Sequence, residues 1–136
     1  MEATIAQGQR AVFLVGRSLL ALYFLVFGVQ KIFAWDQMSG YMASHDVPLI
    51  PVLLVLTILI QVGAGASLLV GYRTQLSAFL LAGLTLMISL FMHDFWNMEE
   101  SVQQGHETQN FVKNMGIMAG LMFAAGQNPG QQAQQQ

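Results

Sequence analysis

Residues 12–33 read VFLVGRSLLALYFLVFGVQKIF, and the reading of this run decides the fold. As a helix it is long enough to cross the hydrocarbon core of a bilayer, about 30 Å thick, which takes about 20 residues. It also carries Arg17 near one end and Lys31 near the other. Those two lie fourteen residues apart, close to four helical turns, so they share a face with Phe24 and Gly28. A span with two cations is more than an anchor. Either the cations snorkel to opposite headgroup layers or they face a protein interior that supplies partners.

Composition supports the membrane reading. The chain has 136 residues, of which 54% are hydrophobic and 9% charged, against about 25% charged in a soluble domain. Its mean hydropathy is +0.52. A formal net charge of −2 and the lack of any basic cluster exclude a nucleic-acid partner. The absence of cysteine excludes a disulfide, a thiol nucleophile and a CxxC redox pair. The N-terminal MEATIAQGQR lacks the basic region and small-residue site of a cleaved signal, so the first span is expected to be retained.

Three further apolar runs follow. The second span is read at 49–70, with Pro48 and Pro51 at its start and Gly71 as its cap. Its Thr57, Gln61 and Gly65 share a face, and Gly63 and Ser67 form a small-xxx-small pair. The short link 71–74 makes spans two and three an antiparallel hairpin. The third span, 75–93, carries Ala78, Ala82, Thr85, Ser89 and His93 as one small and polar stripe, expected to face inward. The fourth, 110–126, contains Asn110, Lys113, Asn114 and a Gly116–Gly120 GxxxG. Asp36 caps a predicted short interfacial helix in the first loop, with Met38, Tyr41 and Met42 on its apolar side. The sequence thus predicts an all-α membrane protein. Its single domain, 1–126, is an antiparallel four-helix transmembrane bundle, followed by a disordered Gln-rich tail at 127–136.

Four spans put both termini and the 71–74 turn on one side, with Arg10, Arg17 and Arg73. The longer loops fall on the other, with Lys31, Lys113 and six of the seven acids. The excess of basic residues places the termini in the cytoplasm and the loops in the periplasm of a bacterium.

In this topology Lys31, His93, Lys113 and Asn114 come to the loop-facing end, with Gln61 deeper. Ionisable groups at membrane depth pair or line a cavity, which marks a functional site. Each also has a plainer reading. The lysines snorkel, His93 caps a helix, Arg17 sits in the headgroup layer, and Gln61 and Asn114 bond between helices at about 0.6 kcal/mol. All three histidines precede an acid: His45-Asp46, His93-Asp94 and His106-Glu107. His93, Asp94 and His106 are therefore weak candidates for a transition-metal site, although adjacent residues seldom ligate one ion together. No metal site, catalytic triad, phosphate loop or paired haem ligation is assigned.

The stretches GRSLLALYFLVFGVQKIF, YMASHDVP, Gln61 to Thr74, FMHDFW and NFVKN resemble, in order and spacing over residues 10–126, the DoxX family of bacterial membrane proteins. The resemblance implies a compact four-helix membrane bundle. It also implies motif positions at Arg17, Gly28, Lys31, Tyr41, Pro48, Gly65, Gly71, Arg73, His93, Lys113 and Asn114. Position 61 departs from the family, many of whose members have a glutamate where this chain has Gln61. The name derives from subunits of a thiosulfate:quinone oxidoreductase, and other members accompany oxidative-stress or copper-handling systems.

The expectation that follows is an inner-membrane accessory or ligand-binding subunit of a membrane redox or oxidative-stress system. It would hold no cofactor in the chain itself beyond a bound quinone or lipid. Lys31, His93, Lys113 and Asn114 would bond the ligand's polar end, with Gln61 deeper, Arg17 on the same face as Lys31, and Phe24 on the apolar wall. Two alternatives stand beside it. One is a catalytic subunit of a quinone-linked oxidoreductase, whose electrons a partner in a redox complex would carry. The other is a copper-handling or small-solute transport module, which would need a homo-oligomer.

Overall fold

The computed structural model describes residues 1–127 and Gly130. Among the described residues the chain forms five α-helices and no strand. They are α1 (Glu2–Phe33), α2 (Trp35–Ser44), α3 (Ile50–Val70), α4 (Thr74–Met92) and α5 (Val102–Ala125), with a short 3₁₀ turn at Phe95–Asn97. From residue 128 on, the predicted Gln-rich tail lies, Gly130 apart, outside the described residues.

The helix limits follow local chemistry. α1 begins ten residues before the apolar run, because Glu2 in its first turn and Lys31 in its last complement the helix dipole and no proline interrupts it. Ala34 separates α1 from α2. Asp36 lies in the first turn of α2 but does not cap it; the N-cap is Ala34, with no side-chain cap bond. α3 carries proline in its first turn and ends at Gly71, whose φ of 80° suits a residue without a Cβ. The hairpin to α4 is closed by Tyr72 N–H donating to Ser67 O at 2.9 Å and Ser67 Oγ donating to Tyr72 O at 2.6 Å. α5 starts eight residues earlier than predicted. Ser101 accepts a bond from Gln104 N–H at 3.1 Å, a cap of the S-x-x-Q type that overrides the polar composition after it.

α1 packs on α3, α3 on α4 and α4 on α5. The α1–α3 crossing is close because Gly28 and Gly65 face the partner helix. A Cβ on Gly28 would lie 2.9 Å from Val62 Cγ2, and one on Gly65 would lie 3.2 Å from Leu25 Cγ. By contrast a Cβ on Gly63 or Gly116 would meet nothing within 4 Å, and one on Gly120 would only touch Leu20 Cδ1 at 3.8 Å, so these small-residue pairs mark no close helix crossing. The stripe of α4 is buried as expected at Ala78, Ala82, Thr85 and Ser89.

Two apolar clusters result. One, around Ala21, Phe24, Ala64, Leu68, Ala78, Leu81, Ala82 and Leu121, fills the end nearer the α3–α4 turn. The other, around Met42, Leu54 and Met92, lies under α2 with Met38, Tyr41 and Ile88 against it. α1, α3 and the segment Thr74–Asn97 are long and apolar enough to cross a membrane. α5 is not among them, because its first two turns carry Gln103, Gln104, His106, Glu107, Gln109 and Asn110.

Candidate ligand-binding cavity

Between the two clusters lies a cavity of about 370 Å³. α1 contributes Tyr23, Phe24, Phe27 and Lys31; α2 contributes Met38, Tyr41 and Met42. α3 supplies Leu54, Thr57 and Gln61, and α4 supplies Thr85, Ile88 and Met92, with His93 at its end. α5 adds Asn110, Lys113, Asn114 and Ile117. Lys31, Gln61, His93, Lys113, Asn114 and Phe24 thus line one cavity. Arg17 does not. It sits one helix length away, where its Nη2 donates to Leu69 O at 3.5 Å in the last turn of α3 and its guanidinium covers Gly71. Four turns along α1 put Arg17 and Lys31 on one face but at opposite ends.

The polar side chains of the wall differ in what they already hold. The Thr57 and Thr85 hydroxyls donate within their own helices, to Leu53 O at 2.8 Å and Leu81 O at 2.7 Å. They are satisfied and present mainly carbon to the cavity. Lys31 Nζ donates to Phe27 O at 3.3 Å and lies 5.7 Å over the Phe27 ring, leaving donor capacity for another group. Gln61 is 4% exposed, and its Oε1 is buried without a hydrogen-bond partner. An orphan acceptor of this kind costs about 1–3 kcal/mol unless something supplies a donor.

Behind His93 stands a network that the sequence did not reveal. Glu107 is 3% exposed and accepts from His93 Nδ1 at 2.5 Å, from Tyr41 Oη at 2.6 Å and from Gln103 Nε2 at 3.2 Å. Because the carboxylate can only accept, the proton of this His93 bond sits on Nδ1, and Nε2 is left outside the bond. Burial pushes the Glu107 carboxyl up, but the bonds from Tyr41 and His93 outweigh it and hold it below the usual carboxylate range. Burial and the neighbouring carboxylate push the Tyr41 phenol well above its ordinary value. A parallel pair lies outside: His45 Nδ1 meets Asp94 Oδ1 at 3.0 Å, and Asn97 Nδ2 donates to Asp94 Oδ2 at 3.1 Å. His45 and His93 therefore each pair with a carboxylate distant in sequence rather than with the acid that follows it. The signal for Glu107 was present in the spacing of Gln103, Glu107, Asn110, Asn114 and Ile117, one face of α5.

Of the weak metal candidates, His93 is engaged with Glu107, Asp94 with His45, and His106 is exposed. Among the described residues no group of three or more histidines and carboxylates could hold a metal ion.

Comparison with known proteins agrees with the sequence reading. The DoxX family profile matches residues 12–94. Inner membrane protein YqjF of Escherichia coli (strain K12) is 31% identical over 86% of this chain and 84% of its own length. Inner membrane protein YphA of the same organism is 28% identical over 86% of this chain and 83% of its own. No solved structure matches the chain.

Proposed function

The chain belongs to the DoxX family, and from that premise we propose that it is a multi-pass inner-membrane subunit that binds a small amphipathic ligand. A quinone is the type of ligand meant, in the service of a membrane redox or oxidative-stress system. In this reading α1, α3, α4 and the part of α5 from residue 110 on cross the bilayer, and α2 lies at the interface with the first turns of α5. The polar face of α5 is turned inward, which allows a helix of modest hydropathy to span. Both termini are cytoplasmic.

The observation that carries the reading is the orphan Gln61 Oε1, buried in a cavity that five helices line and Lys31, His93 and Asn114 rim. The volume falls in the range of small-molecule sites, about 300–1,000 Å³, and the wall is mostly apolar with a few convergent polar groups. Lys31 Nζ has donors free for a quinone carbonyl, and a hydroxyl of the reduced quinol would answer the Gln61 oxygen. The chain brings no redox centre of its own to this reading; the reaction would belong to a partner.

Titration of a short-chain ubiquinone into the purified protein in lipid nanodiscs tests this. Saturable binding is expected, weakened about tenfold or more by Lys31→Ala, the effect of losing one charge-assisted bond. Absence of saturable binding, or binding indifferent to both Lys31→Ala and Gln61→Leu, would defeat it.

A further inference from the structure

We infer that the cavity selects an amphiphile with an anionic head, held by Lys31 and Lys113, with its chain leaving sideways into the bilayer between α1 and α5. The inference rests on the cavity being a ligand site for a small amphiphile, as proposed above, and gives that amphiphile an anionic head in place of the neutral quinone ring.

The first observation is charge. Two lysines, one from α1 and one from α5, line the cavity, and no aspartate or glutamate does. Among the described residues neither lysine has a carboxylate within 4.0 Å. Glu107 is taken up by His93 at 2.5 Å and Tyr41 at 2.6 Å and forms no ion pair with either ammonium group. Cations at membrane depth are retained where something compensates them; Lys31 has the Phe27 carbonyl and ring, but the protein supplies neither lysine with an anion. A ligand carboxylate or phosphate would be that anion.

The second observation is the shape of the opening. α1 and α5 meet only slightly, whereas α1–α3 and α4–α5 are packed along their lengths. Tyr23 and Phe27 line the cavity yet are 37% and 41% exposed, so the wall is open on this side. On the α5 side of the gap stands Ile117. Polar rim and apolar slot together fit a head held at the level of Lys31 and a hydrocarbon tail passing Tyr23, Phe27 and Ile117 toward lipid. Simple snorkelling of the two lysines would use neither the gap nor the cavity.

The test compares dodecanoate, dodecyl phosphate, dodecanol and acetate as ligands of the full chain in zwitterionic nanodiscs. Dodecanoate or dodecyl phosphate is expected to bind at least tenfold tighter than dodecanol, and acetate far more weakly than either. The paired variant Lys31→Gln, Lys113→Gln should erase the preference while dodecanol binding stays, and Lys31→Arg with Lys113→Arg should keep it. Thermal unfolding of each variant separates lost binding from lost folding. Equal affinity for dodecanoate and dodecanol overturns the inference and leaves the ligand-site reading standing. So does a preference that survives the paired glutamine variant. Acetate binding as tightly as dodecanoate would make the ligand a free anion and overturn the amphiphile. Binding of no amphiphile, charged or neutral, would remove the underlying ligand site itself.

Discussion

The two ends of the helical assembly are built on opposite principles. Near the α3–α4 turn, small residues let helices close on each other, and Ala21, Leu68, Ala78, Leu81 and Leu121 are completely buried. Arg17 completes that end by lying over Gly71 and the last carbonyls of α3, where a cation is favoured by the helix dipole. At the loop end the same helices diverge enough to leave about 370 Å³. Side chains there are held by hydrogen bonds through Glu107 as well as by the smaller apolar cluster of Met42, Leu54 and Met92. The difference teaches that Arg17 and Lys31, alike in charge and on one face of one helix, do different work. One seals a packed end; the other faces a hollow.

The largest effect is expected from truncating the packed end. Leu121→Ala should destabilise by about 2–5 kcal/mol, since a fully buried leucine leaves a void its neighbours cannot fill. The same truncation of Met38, which lines the cavity, should cost less than half as much by equilibrium unfolding. Equal losses would break the contrast between a packed and a hollow end.

Glu107→Ala comes next. It leaves Tyr41 Oη and His93 Nδ1 without their acceptor, at about 1–3 kcal/mol for each group that stays dry. The native cluster should also respond to pH in a defined sense. With its folded pKa depressed, Glu107 contributes stability above the ordinary carboxylate value, about 4.3, and that contribution is lost as pH falls through the lower folded value. Tyr41, with its pKa raised, contributes below about pH 10, and its share is lost only as pH climbs toward the raised value. Unfolding midpoints measured across pH should fall at both extremes in the native protein. Below pH 4, Glu107→Gln should flatten the acid limb. An unchanged acid limb would mean that Glu107 does not govern this end.

Gly28→Ala tests the joint between the two regions. Its Cβ would sit 2.9 Å from Val62 Cγ2 and 3.3 Å from Val62 N, so α1 and α3 must part slightly, for about 1–3 kcal/mol. Because Gln61 Cβ is also within 3.0 Å, ligand affinity should fall with stability. The smallest stability effect is expected at Gln61 itself. Gln61→Leu removes an orphan acceptor and should be neutral or stabilising by about 1 kcal/mol while weakening ligand binding. A clear destabilisation would show that Gln61 serves packing alone.

Much of this was legible in the chain. Apolar runs and punctuating Pro48, Pro51 and Gly71 placed α1, α3 and α4 within a few residues at their apolar ends. The 4-3-4-4 spacing from Ala78 picked out the buried stripe of α4. The helical start at Ser101 was missed because the polar Gln103–Asn110 segment resembles a loop, although its cap was readable. The cross-pairing of His45 with Asp94 and His93 with Glu107 was not readable at all. Neighbouring residues on a turn look like partners in sequence, and only the docking of α2 and α5 brings the true ones within 3.0 Å.

The sequence by itself determined that this is an all-helical chain with spans for a membrane and which residues ride on which helix face. Periodicity and hydropathy are local properties, set by 3.6 residues per turn and the cost of burying charge. Only the tertiary structure decided that Lys31, Gln61, His93, Lys113 and Asn114 share one hollow while Arg17 stands apart. That outcome depends on where helices touch, through Gly28, Gly65 and the network around Glu107, and on where they do not.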